Sequence, residues 1–163
     1  MLFFLAVPLV VLVLAFALTG CSNREQVAAI SEEAGEAEAR GQTDLAITRW
    51  SSVLKLDKSN GDAYLRRAAL YEIRGLTDKA ISDYSEYLRL PIAKKAPLKD
   101  QFESSQAADP RNSLRYSAYD SQLDQRVFVL CHRGMDHAKQ GDFAKGLQDI
   151  DEAIRLKPID PTA

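Results

Sequence analysis

Residues 66–90 read RRAALYEIRGLTDKAISDYSEYLRL, and this stretch predicts two helices joined by a tight turn. Gly75 lies between two segments whose apolar residues recur at helical spacing. Glycine readily adopts the left-handed backbone conformation that ends a helix, so Gly75 marks the turn. Thr77 or Asp78 then offers a side-chain oxygen to cap the second helix. The stretch is therefore expected to form a helical hairpin.

The hairpin pattern is repeated along the chain. Gly41 precedes Gly75 by 34 residues, and five further pairs share that offset. They are Ala46 and Ala80, Ile47 and Ile81, Trp50 and Tyr84, Leu54 and Leu88, and Leu56 and Leu90. A third copy, 66 residues after the second, contains Gly141, Gly146, Leu147, Ile150, Ile154 and Leu156. Similarity at a fixed period of this length is typical of helical repeat proteins.

Each copy has a small residue where its two helices are expected to cross, which lets the helices approach closely. These residues are Ala34, Ala68 and Gly134. Asp44 and Asp142 are expected to cap the second helices of the first and third copies. Trp50 and Tyr84 occupy equivalent positions in their second helices, so both are predicted to be buried between the helices of their hairpins.

These stretches, together with HRGMDHAKQGDFAKGLQDIDEAIRLKP at residues 132–158, resemble the tetratricopeptide repeat family. The resemblance covers two units in residues 27–94 and a third in residues 127–160. It implies an all-α fold, a right-handed solenoid of about three helix-turn-helix hairpins.

Residues 95–126 interrupt the period and are expected to form a partly helical insert. Pro97 and Pro110 exclude a single helix across the whole segment. Asn112 or Ser113 is placed to cap a helix that continues in register into the third unit. Its apolar positions are Tyr116, Tyr119, Leu123, Val127 and Leu130. The first helix of the third unit is therefore expected to be lengthened at its amino-terminal end.

The first twenty residues differ in kind from the rest of the chain. Residues 1–20 contain no charged side chain and end in small residues before Cys21, in the sequence LTGC. This pattern resembles the bacterial lipobox. The resemblance implies removal of residues 1–20 as a lipoprotein signal peptide, lipidation of Cys21 and a tether at residues 21–26. An uncleaved signal anchor and an accidental cysteine are the alternatives, since the apolar run approaches the length of a bilayer span.

The expected location is a bacterial membrane, reached through the lipid anchor. Ser22, rather than aspartate, follows the cysteine, and in Gram-negative lipoproteins this implies sorting to the outer membrane with the domain facing the periplasm. Cys131 is then the only thiol of the mature chain. The domain is therefore expected to depend on packing rather than on an internal disulfide.

The charge pattern and the motifs argue against several classes of function. The chain has 21 Lys and Arg residues against 23 Asp and Glu residues, with both signs interleaved. Nucleic-acid binding needs a basic face, so it is not expected. The sequence contains no glycine-rich phosphate loop, HExxH or GxSxG motif. We therefore expect no catalytic residues, no cofactor and no enzyme activity.

The histidine and aspartate residues near positions 131–137 are not expected to form a metal site. His132 and Asp136 are four residues apart and share a helical face. His137 lies about 100° further round the helix, so the side chains do not converge as zinc ligands must. His132 is instead expected to face solvent, and His137 to pack inside the hairpin.

In the tetratricopeptide family the first helices of the repeats form the partner-binding face. The resemblance carries this role to the following groove candidates: Ser31, Asp62, Leu65, Ala69, Glu72, Phe128, Cys131, Met135 and Lys139. The expected function is a membrane-anchored adaptor or scaffold of the cell envelope that binds a protein partner. The alternatives are an accessory structural lipoprotein, in which Leu65, Phe128 and Met135 only pack against the insert, and a small-ligand or metal binder.

The last helix of the third unit carries an apolar stripe with no following repeat to cover it. The stripe consists of Leu147, Ile150, Ile154 and Leu156. The insert, a second copy of the chain or a partner protein could each cover it. Because the insert joins the other end of the unit, the expectation is self-association or partner docking through the C-terminal repeat.

Overall fold

The computed structural model describes the backbone of residues 6–91 and 110–158, and the side chains of residues 23–91 and 120–158. Within these ranges the chain forms six helices and no strand. The helices are α1 (Ala6–Ala39), α2 (Thr43–Leu56), α3 (Gly61–Ile73), α4 (Thr77–Arg89), α5 (Pro110–Lys139) and α6 (Phe143–Leu156). The prediction of an all-α fold is confirmed.

Three turns of the same geometry join these helices in pairs. Gly41, Gly75 and Gly141 have φ angles of 68°, 67° and 83°, the left-handed conformation that glycine adopts without steric cost. In each turn the residue after the glycine donates its amide to a carbonyl in the last turn of the preceding helix. These bonds are Gln42 to Ala37 (2.8 Å), Leu76 to Tyr71 (2.8 Å) and Asp142 to His137 (2.9 Å). The sequence repeat is thus also a repeat of helix-turn-helix geometry.

The chain divides into two compact units, Met1–Leu70 and Tyr71–Ala163. In the first unit α1 packs against α2 around a wholly apolar core. Ala34 and Ala46 are fully buried and bring the helices close together, as predicted. Trp50 is only 3% exposed, which confirms its predicted position inside the hairpin.

In the second unit α5 packs against both α6 and α4. The contact with α6 involves backbone: a Cβ added at Gly146 would lie 2.7 Å from the carbonyl oxygen of Gly134. Both positions therefore require glycine or a shift of the helices. Tyr84, Val129 and Leu130 fill the interior of the unit and are at most 1% exposed.

Two of the predicted helix caps are wrong. Gln42 and Leu76 are the N-cap residues of α2 and α4, and neither makes a side-chain capping bond. The tight turn leaves only one residue between the glycine and the helix, so Asp44, Thr77 and Asp78 fall inside the first helical turn. Asp142 does cap α6 as predicted, because its carboxylate accepts the amide of Lys145 at 3.2 Å.

The lengthened first helix of the third unit is observed as α5, which spans 30 residues. It begins at Pro110, ahead of the proposed caps Asn112 and Ser113, because proline is suited to the first helical position. Near the middle of α5, Arg126 donates to two carbonyl oxygens at the end of α4, those of Leu88, at 2.9 Å, and Leu90. The rest of the predicted insert, including Pro97, lies outside the described residues.

The amino-terminal predictions concern residues whose side chains are not described. α1 runs as one helix from Ala6 to Ala39, and its side chains are described from Asn23 onward. The signal peptide at residues 1–20 and the lipidation of Cys21 therefore stay predictions. Over the described side chains, no helix combines the length and apolar character needed to span a membrane.

Candidate partner-binding site

The predicted groove positions divide between the two units. Ser31, Asp62, Leu65 and Ala69 belong to the first unit and present little free apolar surface. The Ser31 hydroxyl donates to the Val27 carbonyl at 2.7 Å, and Asp62 pairs with Arg66. Leu65 is half-buried and Ala69 is exposed but small. These four residues offer no anchor for a partner's apolar side chain.

The five groove candidates of the second unit are arranged differently. Phe128, Cys131 and Met135 are spaced three and four residues apart and share one side of α5. Phe128 is 54% exposed and Met135 is 49% exposed, while Cys131 is half-buried. We refer to Phe128, Cys131 and Met135 as the α5 face. A rigid helix with a half-exposed aromatic ring and a methionine is a surface suited to binding another protein.

His132 joins the α5 face to the end of α3, and the prediction that it faces solvent is wrong. Its Nδ1 lies 3.2 Å from a carboxylate oxygen of Glu72, and its side chain is 29% exposed. The ring of Phe128 lies 4.2 Å from the imidazole, centroid to centroid, and that of Tyr84 lies 6.1 Å away. Packing of α5 across α4 covers the ring, which a single-helix reading of the sequence does not capture.

Tyr84 contributes a buried hydroxyl to the same place. Its side chain hydrogen-bonds to Glu72, and burial is the main cause that raises the pKa of Tyr84 far above its ordinary value. The negative charges of Glu72 and Asp136 act in the same direction. Tyr84 is therefore a neutral hydrogen-bond donor. From α4 it holds the carboxylate of Glu72, which lies at the end of α3.

Asp136 is the most deeply buried charged residue of this region, at 1% exposure. One carboxylate oxygen accepts from the Lys139 ammonium at 2.8 Å. The other oxygen, Oδ2, has no hydrogen-bond partner among the described residues. Lys139 itself is 62% exposed, and its bond to Asp136 raises the pKa of the ammonium group. A carboxylate with one unpartnered oxygen thus lies beneath an exposed lysine side chain.

We refer to Glu72, Tyr84, His132, Asp136 and Lys139 as the polar cluster. It holds two carboxylates and one ammonium, so its net charge is −1 with the imidazole neutral. Among the described side chains, no three His, Cys, Asp or Glu residues converge where a metal ion could bind. Exposed apolar side chains and buried charges thus lie next to each other on this part of α5.

A second buried ion pair lies between α5 and α6, and sequence reasoning missed it. Arg133 donates to both carboxylate oxygens of Asp149, at 2.8 and 2.6 Å, and to the Ser85 hydroxyl at 3.1 Å. Asp149 is 4% exposed. The sequence did contain a sign of this ion pair. Asp149 lies between Gly146 and Ala153 on the inward-facing side of α6, and a charged residue at such a position needs a partner of opposite charge.

The α6 helix carries a separate exposed surface. Phe143 is 71% exposed, Leu147 63% and Ile154 48%, and they are spaced four and seven residues apart on one side of the helix. We refer to these three residues as the α6 stripe. Two of the four residues in the predicted uncovered stripe belong to it, while Ile150 and Leu156 are half-buried.

No protein-family model and no curated protein matches the chain. Among solved structures, the chain is similar to the MamA protein, with 20% identity and a TM-score of 0.42 over 82% of this chain and 74% of that chain. It is also similar to YrrB, described as a TPR protein with an unusual peptide-binding site, with 16% identity and a TM-score of 0.40 over 88% of this chain and 93% of that chain.

Proposed function

We propose that this chain is a lipid-anchored adaptor of the bacterial cell envelope that holds a protein partner against the α5 face. The observation that carries the proposal is the half exposure of Phe128 and Met135 beside the polar cluster. Large apolar side chains next to a few polar groups are typical of interface centres, where burial of a few residues supplies most of the affinity.

The half exposure also favours an adaptor over an accessory structural lipoprotein. In that alternative Leu65, Phe128 and Met135 would only pack within the chain. Leu65 is half-buried, but among the described side chains Phe128 and Met135 keep about half of their surface exposed. A large side chain on an ordered helix gains little from such a position unless a partner covers it.

The lipid anchor is supported by the sequence LTGC alone. Each buried methylene of an acyl chain contributes about 0.8 kcal/mol, so two or more chains anchor a protein almost irreversibly. Cys21→Ala should therefore release the protein from membranes or leave it as an unprocessed precursor. Fractionation and intact mass measure both outcomes. A variant that is still cut before residue 21 and still sediments with membranes would show that the lipobox reading is wrong.

Site-specific photocrosslinking tests the partner surface. A benzoylphenylalanine placed at Phe128 should give a discrete adduct in cells, and Met135→Glu should abolish it. The matched control is the same group at Leu45, which is 43% exposed on α2 of the first unit. Adducts that are identical at the two positions, or that survive Met135→Glu, would count against the α5 face as the binding surface.

Self-association through the α6 stripe is a second proposal, and a second copy of the chain is its occupant. Asp151 and Arg155 are exposed, four residues apart, and flank the stripe on one side. When two copies of a helix meet antiparallel about a twofold axis, the same flank of each faces the other. Asp151 of one copy then meets Arg155 of the second, so the flank is complementary to itself.

Sedimentation of the full chain in detergent tests this association. We expect a dimer at micromolar concentration that Ile154→Glu converts to a monomer with unchanged helicity. Leu45→Glu, the same change on an exposed leucine of the first unit, should leave the dimer intact. A monomer at all concentrations, or unfolding by Ile154→Glu, would mean that the stripe is covered within one chain.

A further inference from the structure

We propose that the polar cluster is a binding site for a basic side chain of the partner, and that Lys139 occupies this site until the partner displaces it. The inference rests on the proposed function, because it names the chemistry that the α5 face recognises. The preferred ligand is an arginine that has an apolar residue beside it in the partner's sequence.

Asp136 has a carboxylate oxygen without a hydrogen-bond donor among the described residues. The carboxylate is 1% exposed, one of its oxygens is bound by Lys139, and the other has no partner among the described residues. Buried carboxylate oxygens are otherwise almost always hydrogen-bonded, because burial without a donor is unfavourable. Asp136 therefore has the capacity for a further cationic donor at a position where the fold supplies none.

Lys139 is positioned so that an incoming basic side chain can replace it. It lies three residues after Asp136 on α5 and reaches inward from a side chain that is 62% exposed. An ammonium group is a point charge that here satisfies one oxygen. A guanidinium group presents a planar fork of donors that can engage both oxygens of one carboxylate. Arginine is therefore a better occupant than the lysine already present.

The charge of the polar cluster and its apolar neighbours also favour a basic ligand. Glu72 and Asp136 outnumber Lys139, so the polar cluster carries more negative than positive charge even with Lys139 in place, which favours a cationic ligand. Phe128 is half-exposed beside His132 and offers apolar surface to a residue that neighbours the arginine. Met135 offers an adaptable contact for the apolar neighbour of the arginine.

A matched set of peptides tests the inference on the full chain in detergent micelles. The probes are fluorescein-labelled peptides of sequence Gly-Leu-X-Leu-Gly in which X is arginine, citrulline or glutamate. Citrulline keeps the shape of arginine and removes its charge. Fluorescence polarisation should show that the arginine peptide binds about tenfold more tightly than the citrulline peptide, as expected for a charge-assisted hydrogen bond.

The variants separate displacement of Lys139 from simple attraction. Lys139→Ala should tighten binding of the arginine peptide several-fold and leave the citrulline peptide unchanged, because it removes the competing cation. Asp136→Asn should abolish the preference for arginine. Asp136 is buried, so Asp136→Asn can fail to fold. Glu72→Gln and Lys139→Ala change less buried members of the polar cluster and therefore test the inference independently.

Two results would overturn the inference. One is equal binding, or no binding, of the arginine and citrulline peptides. The other is weaker binding of the arginine peptide by Lys139→Ala, which would make Lys139 part of the recognition surface. If either occurs while the Phe128 adduct is retained, the adaptor stands and only its preference for a basic partner is wrong. Loss of the adduct removes the proposed function itself.

Discussion

The α1–α2 hairpin and the α5–α6 hairpin share one backbone plan and differ in what they bury. The first has a core without a charged residue, formed by Ala34, Ala37, Ala46, Trp50, Val53 and Leu54. The second encloses Asp136 and Asp149, and two glycines bring its backbones into contact. The repeat therefore dictates the turns and the crossing of the helices, while the interior is free to take a different chemistry.

The surfaces of the two hairpins differ in the opposite sense. Among described residues, the large exposed hydrophobic side chains of the first hairpin are Leu45 and Leu56, at 43% and 40% exposure. Those of the second are Phe128, Met135, Phe143, Leu147 and Ile154, at 48% to 71%. A hairpin that buries charge and exposes apolar groups is built for contacts beyond itself. This difference supports the proposal that the second hairpin binds the partner and that the first is mainly structural.

The largest expected effect tests the apolar core of the first hairpin. Trp50→Ala should lower the free energy of unfolding by about 3 to 5 kcal/mol, because the truncation leaves a large cavity between α1 and α2. Thermal denaturation followed by circular dichroism measures the loss. Leu45→Ala, on the same helix but exposed, should change stability by no more than about 0.5 kcal/mol. Equal effects of the two substitutions would contradict the packing described for Trp50.

The corresponding test in the second hairpin concerns its buried charges. Asp149→Ala should cost about 3 kcal/mol or more, because it leaves the Arg133 guanidinium without its carboxylate partner. Replacing both residues, as Arg133→Met with Asp149→Leu, should recover most of that stability. Urea denaturation of the three chains gives the comparison. If the double variant is as unstable as the single one, the ion pair is not the interaction that Asp149 supplies.

A smaller effect is expected at the glycine contact of the second hairpin. Gly146→Ala should cost about 1 to 3 kcal/mol, because the new Cβ meets the Gly134 carbonyl oxygen and forces α5 and α6 apart. Gly35→Ala is the matched control, since it adds a Cβ in the helical α1 with nothing within 4 Å. That change should stabilise the chain by about 0.5 to 1 kcal/mol. Opposite signs for two identical substitutions would sharpen the contrast between the hairpins.

The smallest effect is a pH dependence confined to the second unit. The raised pKa of Tyr84 means that the folded state keeps its proton when an unfolded tyrosine loses it, above about pH 10. Below that pH the contribution of the neutral Tyr84 to stability is fully present. As the pH rises further this contribution is lost, and the free energy of unfolding falls by up to about 1.4 kcal/mol per pH unit. Tyr84→Phe should remove this part of the alkaline slope. Parallel slopes for the two chains would show that the phenol ionises freely in the folded state.

Much of the fold could be predicted from the sequence because the relevant signals are local. Gly41, Gly75 and Gly141 each specify a turn through their own backbone conformation, and their spacing reveals the repeat. The capping assignments failed at two of three helices for an equally local reason. The turn passes directly from Gln42 or Leu76 into the helix, so the nearest aspartate or threonine falls too late to be the cap.

The polar cluster could not be predicted because its contacts are not local. His132 and Glu72 are 60 residues apart in sequence, and only the packing of α5 brings them together. Phe128 and Met135 could be selected from the repeat register, since both fall at positions of a first helix that the family resemblance assigns to the partner-binding face. Which of those positions would remain exposed depends on neighbouring helices, and that information is absent from a single helical pattern.

The bonds of Arg126 to the Leu88 and Leu90 carbonyls have a consequence for how this chain tolerates change. They supply donors to carbonyl oxygens at the carboxyl end of α4, where the last four carbonyls of a helix have no partner within that helix. A change of residue 126, in the middle of α5, is therefore expected to loosen the end of a different helix.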